Sequence, residues 1–229
     1  MKGGLAVGDM NIEFGVWEDG HESAVALAPC ADEDATIISE LRRRSLAVNI
    51  SGRREKVPQN YTGFNFFGLD GPATVFICRY HFDEALRRAA LFRKQLLIGG
   101  GPLGILAAAE VHVDVGSNAL DLWQRIVAPR HLECDAGICS VRMGAGPALF
   151  LHAIEKVDSG TFRLRAAVWL VASVGQVTQV LQERGLLGQD PVEPKFQRCC
   201  VLSLDRFQVK TPAKLIFCPR SGNDDQVSV

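Results

Sequence analysis

Four stretches of the chain, which begin near residues 4, 23, 109 and 163, have the pattern of one module or of a part of it. In the fullest copies, a strand and a helix are followed by further strands whose turns carry Gly or Pro, which is the order βαβββ. Repetition constrains a fold more than any single motif does, because every copy has to form the same unit. A doubly wound parallel sheet would place a helix after every strand instead. The sequence therefore predicts an α+β fold of repeated βαβββ modules with curled antiparallel sheets.

The predicted elements divide the chain into three parts. The first copy is a turn at residues 8–9 and a strand at 10–16, whereas the later copies open with strands at 23–28, 109–115 and 164–172. Helices at 32–44, 118–127 and 174–185 follow these strands, and further strands are predicted at 61–67, 74–80, 137–143, 148–154, 198–204 and 214–218. Apolar residues at helical spacing predict an amphipathic linker helix over 83–95. We therefore expect a partial first module plus a second module in 1–82, the linker helix with a Gly-rich loop in 83–105, and paired modules in 106–229.

Composition limits the classes of partner and of location. The chain has 229 residues, of which 47% are hydrophobic and 22% charged, as in a soluble globular protein of one or two domains. A net charge of −1 gives no electrostatic footprint for nucleic acid. The longest near-apolar run, 96–109, is too short to span a bilayer, so no membrane partner is expected. The seven cysteines form no CxxC pair, which favours reduced, buried thiols and a cytoplasmic location.

Three segments carry a resemblance to a known family. Residues 8–13 (GDMNIE) have the form of the last strand of a module, and 25–27 with 34–46 have the form of the next opening strand and helix. Residues 101–105 (GPLGI) precede a strand at 111–115 (VHVDV), as a linker would. This order resembles the vicinal oxygen chelate superfamily, and in particular its glyoxalase-like domain proteins. The resemblance implies that paired modules form a cupped, barrel-like cavity in which a small organic molecule binds.

The resemblance also bears on metal binding. In the metal-dependent members, a His or Glu in the first strand and a Glu or His in the last strand of each module hold a divalent cation. Glu13 falls at such a last-strand position and is, by resemblance, the best single catalytic carboxylate; an edge-strand charge is the alternative. The corresponding places in the other copies are apolar: Val75 or Phe76, Phe150 or Leu151, and Leu215 or Ile216. A hard cation needs several oxygen or nitrogen ligands, so the sequence leaves open whether the cofactor is a divalent metal or none.

One predicted strand carries a second candidate site. Glu110, His112 and Asp114 occupy alternate positions and so share one face of the strand, while His152 lies on another strand of the same module. If that face lines the cavity, Glu110 and His112 form an acid/base pair or bind a metal, and His152 contacts the ligand. The alternative is that this face is exposed to water, as one face of many antiparallel sheets is.

Two further patterns, a pair of arginines and a glycine-rich run, have the chemistry of ligand-binding sites. Arg53 and Arg54 follow the turn at 51–52 and have the chemistry to bind a carboxylate or phosphate, the alternative being an exposed loop. Gly99-x-Gly101-x-x-Gly104 matches the dinucleotide fingerprint of FAD- or NAD-dependent oxidoreductases, which requires a helix starting near Pro102. Strand character resumes within about ten residues, however, and a lone fingerprint is a weak signal.

Taken together, the sequence predicts a glyoxalase-like protein that binds a small organic molecule, with lyase or isomerase activity from Glu13 or from the Glu110 and His112 pair. A metal-free binding or sequestering protein is the alternative, and an FAD- or NAD-dependent oxidoreductase is the second alternative. The first module lacks an opening strand and helix, which leaves strand edges unpaired. Such edges pair readily with another chain, so we expect a homodimer.

Overall fold

The strands form two sheets that follow each other along the chain. A computed structural model describes residues 3–7, 10–14, 23–27, 33–51, 61–66, 73–80, 101–142, 147–155, 162–187, 194–204 and 213–220. The six-stranded sheet consists of β1 (Gly3–Val7), β2 (Met10–Phe14), β3 (Ser23–Leu27), β4 (Val48–Ser51), β5 (Tyr61–Phe66) and β6 (Ala73–Tyr80). The seven-stranded sheet consists of β7 (Ile105–Gly116), β8 (Glu133–Asp135), β9 (Ile138–Arg142), β10 (Ala148–Ile154), β11 (Phe162–Val171), β12 (Cys200–Ser203) and β13 (Lys214–Pro219). The helices are α1 (Asp34–Arg43), α2 (Leu120–Val127) and α3 (Val174–Glu183). The predicted α+β class is confirmed.

The strand order explains where each helix lies. The sheets run β1-β2-β3-β6-β5-β4 and β12-β13-β11-β7-β10-β9-β8. Strand β3 is parallel to β6, β7 to β10, and β11 to β13, while the other neighbours are antiparallel. Parallel strands need a crossover connection, and α1, α2 and α3 each lie within one of these three crossovers. The antiparallel pair β7–β11 joins two such units at the centre of the seven-stranded sheet.

Each helix buries one face because its apolar residues recur at helical spacing. Ile37 and Leu41 of α1 are buried, as are Val177 and Leu181 of α3, each pair being four residues apart. In α1, Asp34 lies in the first turn and basic residues lie in the last, which suits the helix dipole. Ser173 caps α3 by accepting a hydrogen bond from the backbone N–H of Gln176 at 3.2 Å.

The main hydrophobic core includes residues of both sheets. Val111, Val113 and Val115 of β7 are fully buried in it, together with Trp123 of α2 and Phe64 of β5. The ends of α1 and α2 are also tied together, because Arg44 donates to the carbonyl of Ile126 at 3.1 Å and Arg125 donates to that of Ser45 at 2.8 Å. Alternation along β7 therefore turns His112 and Asp114 away from this core.

Several strands were not predicted, and some predictions lie outside the described residues. Strands β1, β4 and β8 have three to five residues each and were missed because they are too short to show a clear alternation. The predicted linker helix over 83–95 lies outside the described part of the chain. The division of the chain at 82 and 105 stays a prediction.

The glycine-rich segment does not open a dinucleotide-binding helix. Gly101–Leu103 forms a single turn of 3-10 helix, and the twelve-residue strand β7 begins at Ile105. Gly101 and Gly104 have φ angles of 69° and 59°, in the left-handed region that glycine adopts without strain. A pyrophosphate site of this type needs a helix of several turns after the fingerprint. The interpretation of Gly99-x-Gly101-x-x-Gly104 as a dinucleotide fingerprint is therefore wrong, although Gly99 itself lies outside the described residues.

Four of the cysteines form disulfides. Cys134 of β8 and Cys139 of β9 are direct partners in the register of the two strands and are bonded to each other. Cys199, the residue before β12, is also bonded to Cys218 of β13. The prediction of reduced thiols is wrong for these four residues, because the pairing of neighbouring strands brings each pair of cysteines together. The cytoplasmic location, which relied partly on it, stays a prediction.

None of the helices in the described ranges is both long and apolar enough to cross a membrane.

Candidate functional site

The face of the seven-stranded sheet that is turned away from the main core is called the cavity face below. Residues that are register partners on neighbouring strands project to the same side of a sheet. One row of partners crosses five strands of this face and consists of Ser140, Phe150, His112, Ala166 and Lys214. The adjacent row consists of Ile138, His152, Asp114 and Arg163. Most of these residues line a cavity of about 460 Å³.

Three side chains in this cavity face form a chain of short hydrogen bonds. His112 Nε2 lies 2.7 Å from Glu110 Oε2, and His112 Nδ1 lies 2.9 Å from His152 Nε2. Both ring nitrogens of His112 are therefore engaged, and its side chain is only 6% exposed against 34% for Glu110. The sequence-predicted residues Glu110, His112 and His152 are thus brought together by the folded sheet.

Phe150 holds the central ring of this chain in one orientation. Its ring stacks on that of His112 with centroids 4.7 Å apart and an interplanar angle of 8°. Because a stacked ring cannot rotate without losing this contact, Phe150 keeps the two nitrogens of His112 directed at Glu110 and His152. No pattern in the sequence indicates this role, since aromatic residues are common in the strands of a sheet.

The proton positions along the chain follow from the hydrogen-bonding capacity of each group. A carboxylate can only accept, so His112 donates its Nε2 proton to Glu110. Its Nδ1 then accepts, which requires His152 to donate from Nε2 and places the basic lone pair of His152 on Nδ1. A proton gained by His152 would be stabilised by the Glu110 charge, which acts through the His112 ring.

Asp114 is the anionic centre of the adjacent row. It is 3% exposed. Its Oδ2 accepts from Arg163 Nε at 3.1 Å and from Arg163 Nη2 at 2.6 Å, while Oδ1 lies 3.4 Å from Arg165 Nη1. A buried carboxylate needs such partners because burial removes it from water. Asp114 was predicted on this face but without its arginine partners.

A β-bulge brings Arg165 to the same face as its neighbour in sequence. Leu164 pairs with Val113 and Ala166 pairs with His112, so Arg165 is an extra residue without a partner on β7. A bulge allows two consecutive side chains to face the same way, and here Arg165 and Ala166 both line the cavity. No pattern in the sequence marks this bulge.

A second cavity of about 540 Å³ lies on the other side of Phe150. It is lined by residues that include Arg130, Glu133, Arg142 and Ala148, and Ala148 is the register partner of Glu110. The Glu110–His112–His152 chain therefore runs along the sheet from the side of this second cavity to the first.

The remaining predicted site residues lie elsewhere. Glu13 is in β2 of the six-stranded sheet, where its backbone is paired with Gly4 and Ala24, and its side chain is outside the described structure. It is thus not on the sheet that carries Glu110 and His112. Arg53 and Arg54 lie outside the described residues, so their predicted ligand contacts stay predictions.

The described residues do not fit a divalent metal at the positions that the resemblance implies. Of the candidate strand positions, Phe150 and Ile216 are apolar. His112 could ligate only by losing one of its two hydrogen bonds. Within the described ranges, no group of three or more His, Cys, Asp or Glu side chains is arranged to hold a metal ion. No chemical step is therefore assigned to a metal.

The topology and the comparison with solved structures agree on the fold. A hypothetical protein from Staphylococcus aureus superposes with a TM-score of 0.51 at 9% identity, over 87% of this chain and 67% of that one. The Mn(II)-bound glyoxalase from Novosphingobium aromaticivorans gives 0.48 at 12% identity, over 94% and 72% of the two chains. A catechol 2,3-dioxygenase gives 0.49 at 10%, over 96% and 80%. The superposition with the Staphylococcus aureus protein shows a shared overall fold.

This fold does not select a reaction. The identities of 9% to 12% show similarity of fold alone, and TM-scores of 0.48 and 0.49 are too low to relate the chemistry of this chain to either enzyme. The sequence itself matches no family model and no curated protein. The function of this chain has to be argued from the side chains on its cavity face.

Proposed function

We propose that the protein is a lyase or isomerase that binds a small organic molecule on the cavity face and moves a proton with the Glu110–His112–His152 chain. The observation that carries this proposal is the pair of short hydrogen bonds, 2.7 Å and 2.9 Å long, that connect a carboxylate to two histidines beside a cavity. A hydrogen-bonded carboxylate and imidazole is a common arrangement for general acid–base catalysis.

In the proposed reaction His152 is the catalytic residue, because its side chain lines the cavity and is hydrogen-bonded to His112. Its Nδ1 takes a proton from the bound molecule, and its Nε2–H remains donated to His112. Glu110 and His112 are positioning residues, which hold the tautomer and stabilise the positive charge on His152. An isomerase returns the proton to a different position, and a lyase returns it to the leaving group. Such a base contributes about 10²- to 10⁴-fold in rate.

The test is a screen of small carbonyl and carboxyl compounds in D₂O, in which proton NMR detects exchange of a carbon-bound hydrogen. His152→Asn should lower the exchange rate by about 10²- to 10⁴-fold, and Glu110→Gln should lower it by a smaller factor. Gln182→Asn, at an exposed position of α3 on the opposite side of the sheet, is the control. Exchange that continues at the wild-type rate in His152→Asn would exclude the proposed catalytic role.

A metal-free binding or sequestering protein is the second candidate. It is favoured by Phe150 and Ile216, which place apolar side chains where ligands of a cation are expected by resemblance. The same screen separates the two candidates, because a sequestering protein binds a compound without exchanging its hydrogens. Binding that is unchanged in His152→Asn and exchange that is undetectable in the wild type would support this second candidate.

We also propose that the protein is a homodimer. In the described structure, β1 is the last strand at one end of the six-stranded sheet, next to the β2–β3 pair. An open edge can pair with the same strand of a second copy, which buries backbone groups that would otherwise face water. Size-exclusion chromatography with light scattering should give twice the chain mass of 24.9 kDa, and a monomer mass at all concentrations would contradict the proposal.

A further inference from the structure

The cavity beside His152 has an excess of positive charge. Among the described residues, its lining includes the cations Arg163, Arg165 and Lys214 and one carboxylate, that of Asp114. With neutral histidines, these groups leave two positive charges in excess. A cavity with low-dielectric walls concentrates such a field, so it favours an anion over a neutral molecule of the same shape.

The three cations differ in how far Asp114 engages them. Arg163 gives Asp114 two hydrogen bonds, of 2.6 Å and 3.1 Å, and so supplies most of the charge that balances this buried carboxylate. Arg165 makes one contact of 3.4 Å, and its side chain is 47% exposed. The side chain of Lys214 makes no hydrogen bond or ion pair with any other residue in the described part of the chain. Arg165 and Lys214 are therefore the cations with capacity for a ligand.

Their position relative to His112 and His152 follows from the register. Lys214 is the partner of Ala166, and Ala166 is the partner of His112, so two strand spacings separate Lys214 from His112. Strands lie about 4.8 Å apart, which puts the two backbones about 10 Å from each other. Ala166 lies between them, packed beside Phe196 and Ile216, and all three residues form part of the cavity wall.

The bulge supplies the second cation next to this space. In a regular strand, consecutive side chains point to opposite faces, so Arg165 and Ala166 could not both face the cavity. The bulge keeps both of them on the cavity face. An arginine next to a small residue, with a lysine opposite that residue on the neighbouring strand, suits an oxyanion. The guanidinium group can donate two parallel hydrogen bonds to a carboxylate or phosphate.

We infer that Arg165 and Lys214 bind the oxyanion group of a small organic ligand in this cavity, and that this group holds the rest of the ligand against His152. The inference names the substrate class of the proposed function and relies on that function for its catalytic consequence. The anion site itself makes a claim about binding that can be tested without turnover.

The first experiment is calorimetric titration of the full chain with malonate and with malonamide, its neutral counterpart of similar shape. Malonate should bind and malonamide should not. Arg165→Gln and Lys214→Gln should each weaken malonate binding by about tenfold or more, the size expected when one charge-assisted hydrogen bond is lost. Arg184→Gln, an exposed arginine at the end of α3, is the matched control and should bind malonate like the wild type.

Two additions make the result specific. Lys214→Arg keeps the charge and should retain most of the binding, which separates loss of charge from a disturbed fold. Inorganic phosphate in place of malonate distinguishes a phosphate-bearing ligand from a carboxylate, and either preference supports an oxyanion site. Equal binding of malonate and malonamide, unchanged binding in Arg165→Gln and Lys214→Gln, or no binding of either malonate or phosphate would overturn the inference.

The failures of the two proposals are distinguishable. If malonate binding depends on Arg165 and Lys214 but no compound exchanges hydrogen, the anion site stands and the enzyme proposal fails. If exchange depends on His152 but proceeds equally well on neutral compounds and in Arg165→Gln and Lys214→Gln, the enzyme proposal stands and the anion site fails.

Discussion

Arg163 and Arg165 lie two residues apart on β11 and both contact Asp114. We nevertheless expect different consequences from their substitution. Arg163 donates from two nitrogens to one oxygen of Asp114, whereas Arg165 approaches the other oxygen at 3.4 Å. Replacing Arg163 by Gln therefore leaves Asp114, which is 3% exposed, with one long contact to a cation. We expect Arg163→Gln to destabilise the fold and Arg165→Gln to weaken ligand binding instead.

The magnitude can be worked from the contacts. Hydrogen bonds to a charged group contribute about 1.5–3 kcal/mol. The Arg163 side chain is 38% exposed, so solvent screens the pair, and we take about 2 kcal/mol rather than the larger cost of breaking a fully buried ion pair. In a chain of this length, about 2 kcal/mol corresponds to a loss of about 4–8 °C in melting temperature. For Arg165→Gln we expect a change in stability within about 0.5 kcal/mol.

The assay is urea unfolding followed by circular dichroism, with Arg184→Gln as the surface control. A double-mutant cycle of Arg163→Gln with Asp114→Asn isolates the interaction between the two side chains. Equal losses of stability in Arg163→Gln and Arg165→Gln, or an interaction energy near zero in the cycle, would refute the assignment of Arg163 as the partner that balances Asp114.

Three other outcomes are expected. Ser173→Ala removes the N-cap of α3 and should lower the free energy of unfolding by about 1 kcal/mol, whereas Ser173→Asp should restore it; equal unfolding curves for wild type and Ser173→Ala would contradict the cap. Hydrogen bonds from Arg43 and Arg44 lower the pKa of Glu40 to about 2. Its contribution to stability is therefore present above the ordinary value of 4.5 and is lost as the pH falls toward 2, so Glu40→Gln should flatten the pH dependence of stability in that window, as thermal unfolding at stepped pH would reveal. Alkylation of the unfolded, unreduced protein followed by mass spectrometry should leave Cys134, Cys139, Cys199 and Cys218 unmodified. Labelling of these four cysteines would contradict the two disulfides.

Much of the fold could be predicted because its elements have a strong period. Strand β10 was predicted over its full range, Ala148–Ile154, and helices α1 and α3 to within one or two residues at each end. Alternation in β7 also established that Glu110, His112 and Asp114 share a face. Short elements were missed because three or four residues show no period, and the glycine fingerprint misled because its spacing also suits a tight turn before a strand.

The sequence by itself determined which residues of β7 could act together, because alternation along a strand depends only on local backbone geometry. Only the tertiary structure decided that His152 reaches His112, since that contact depends on the register between β7 and β10, and a shift by one residue would turn His152 into the core. The bulge at Arg165 likewise depends on the pairing of β11 with β7, and the position of Lys214 beside Ala166 depends on the pairing of β13 with β11. They arise when strands far apart in sequence are aligned by packing against a common core, which no local pattern encodes.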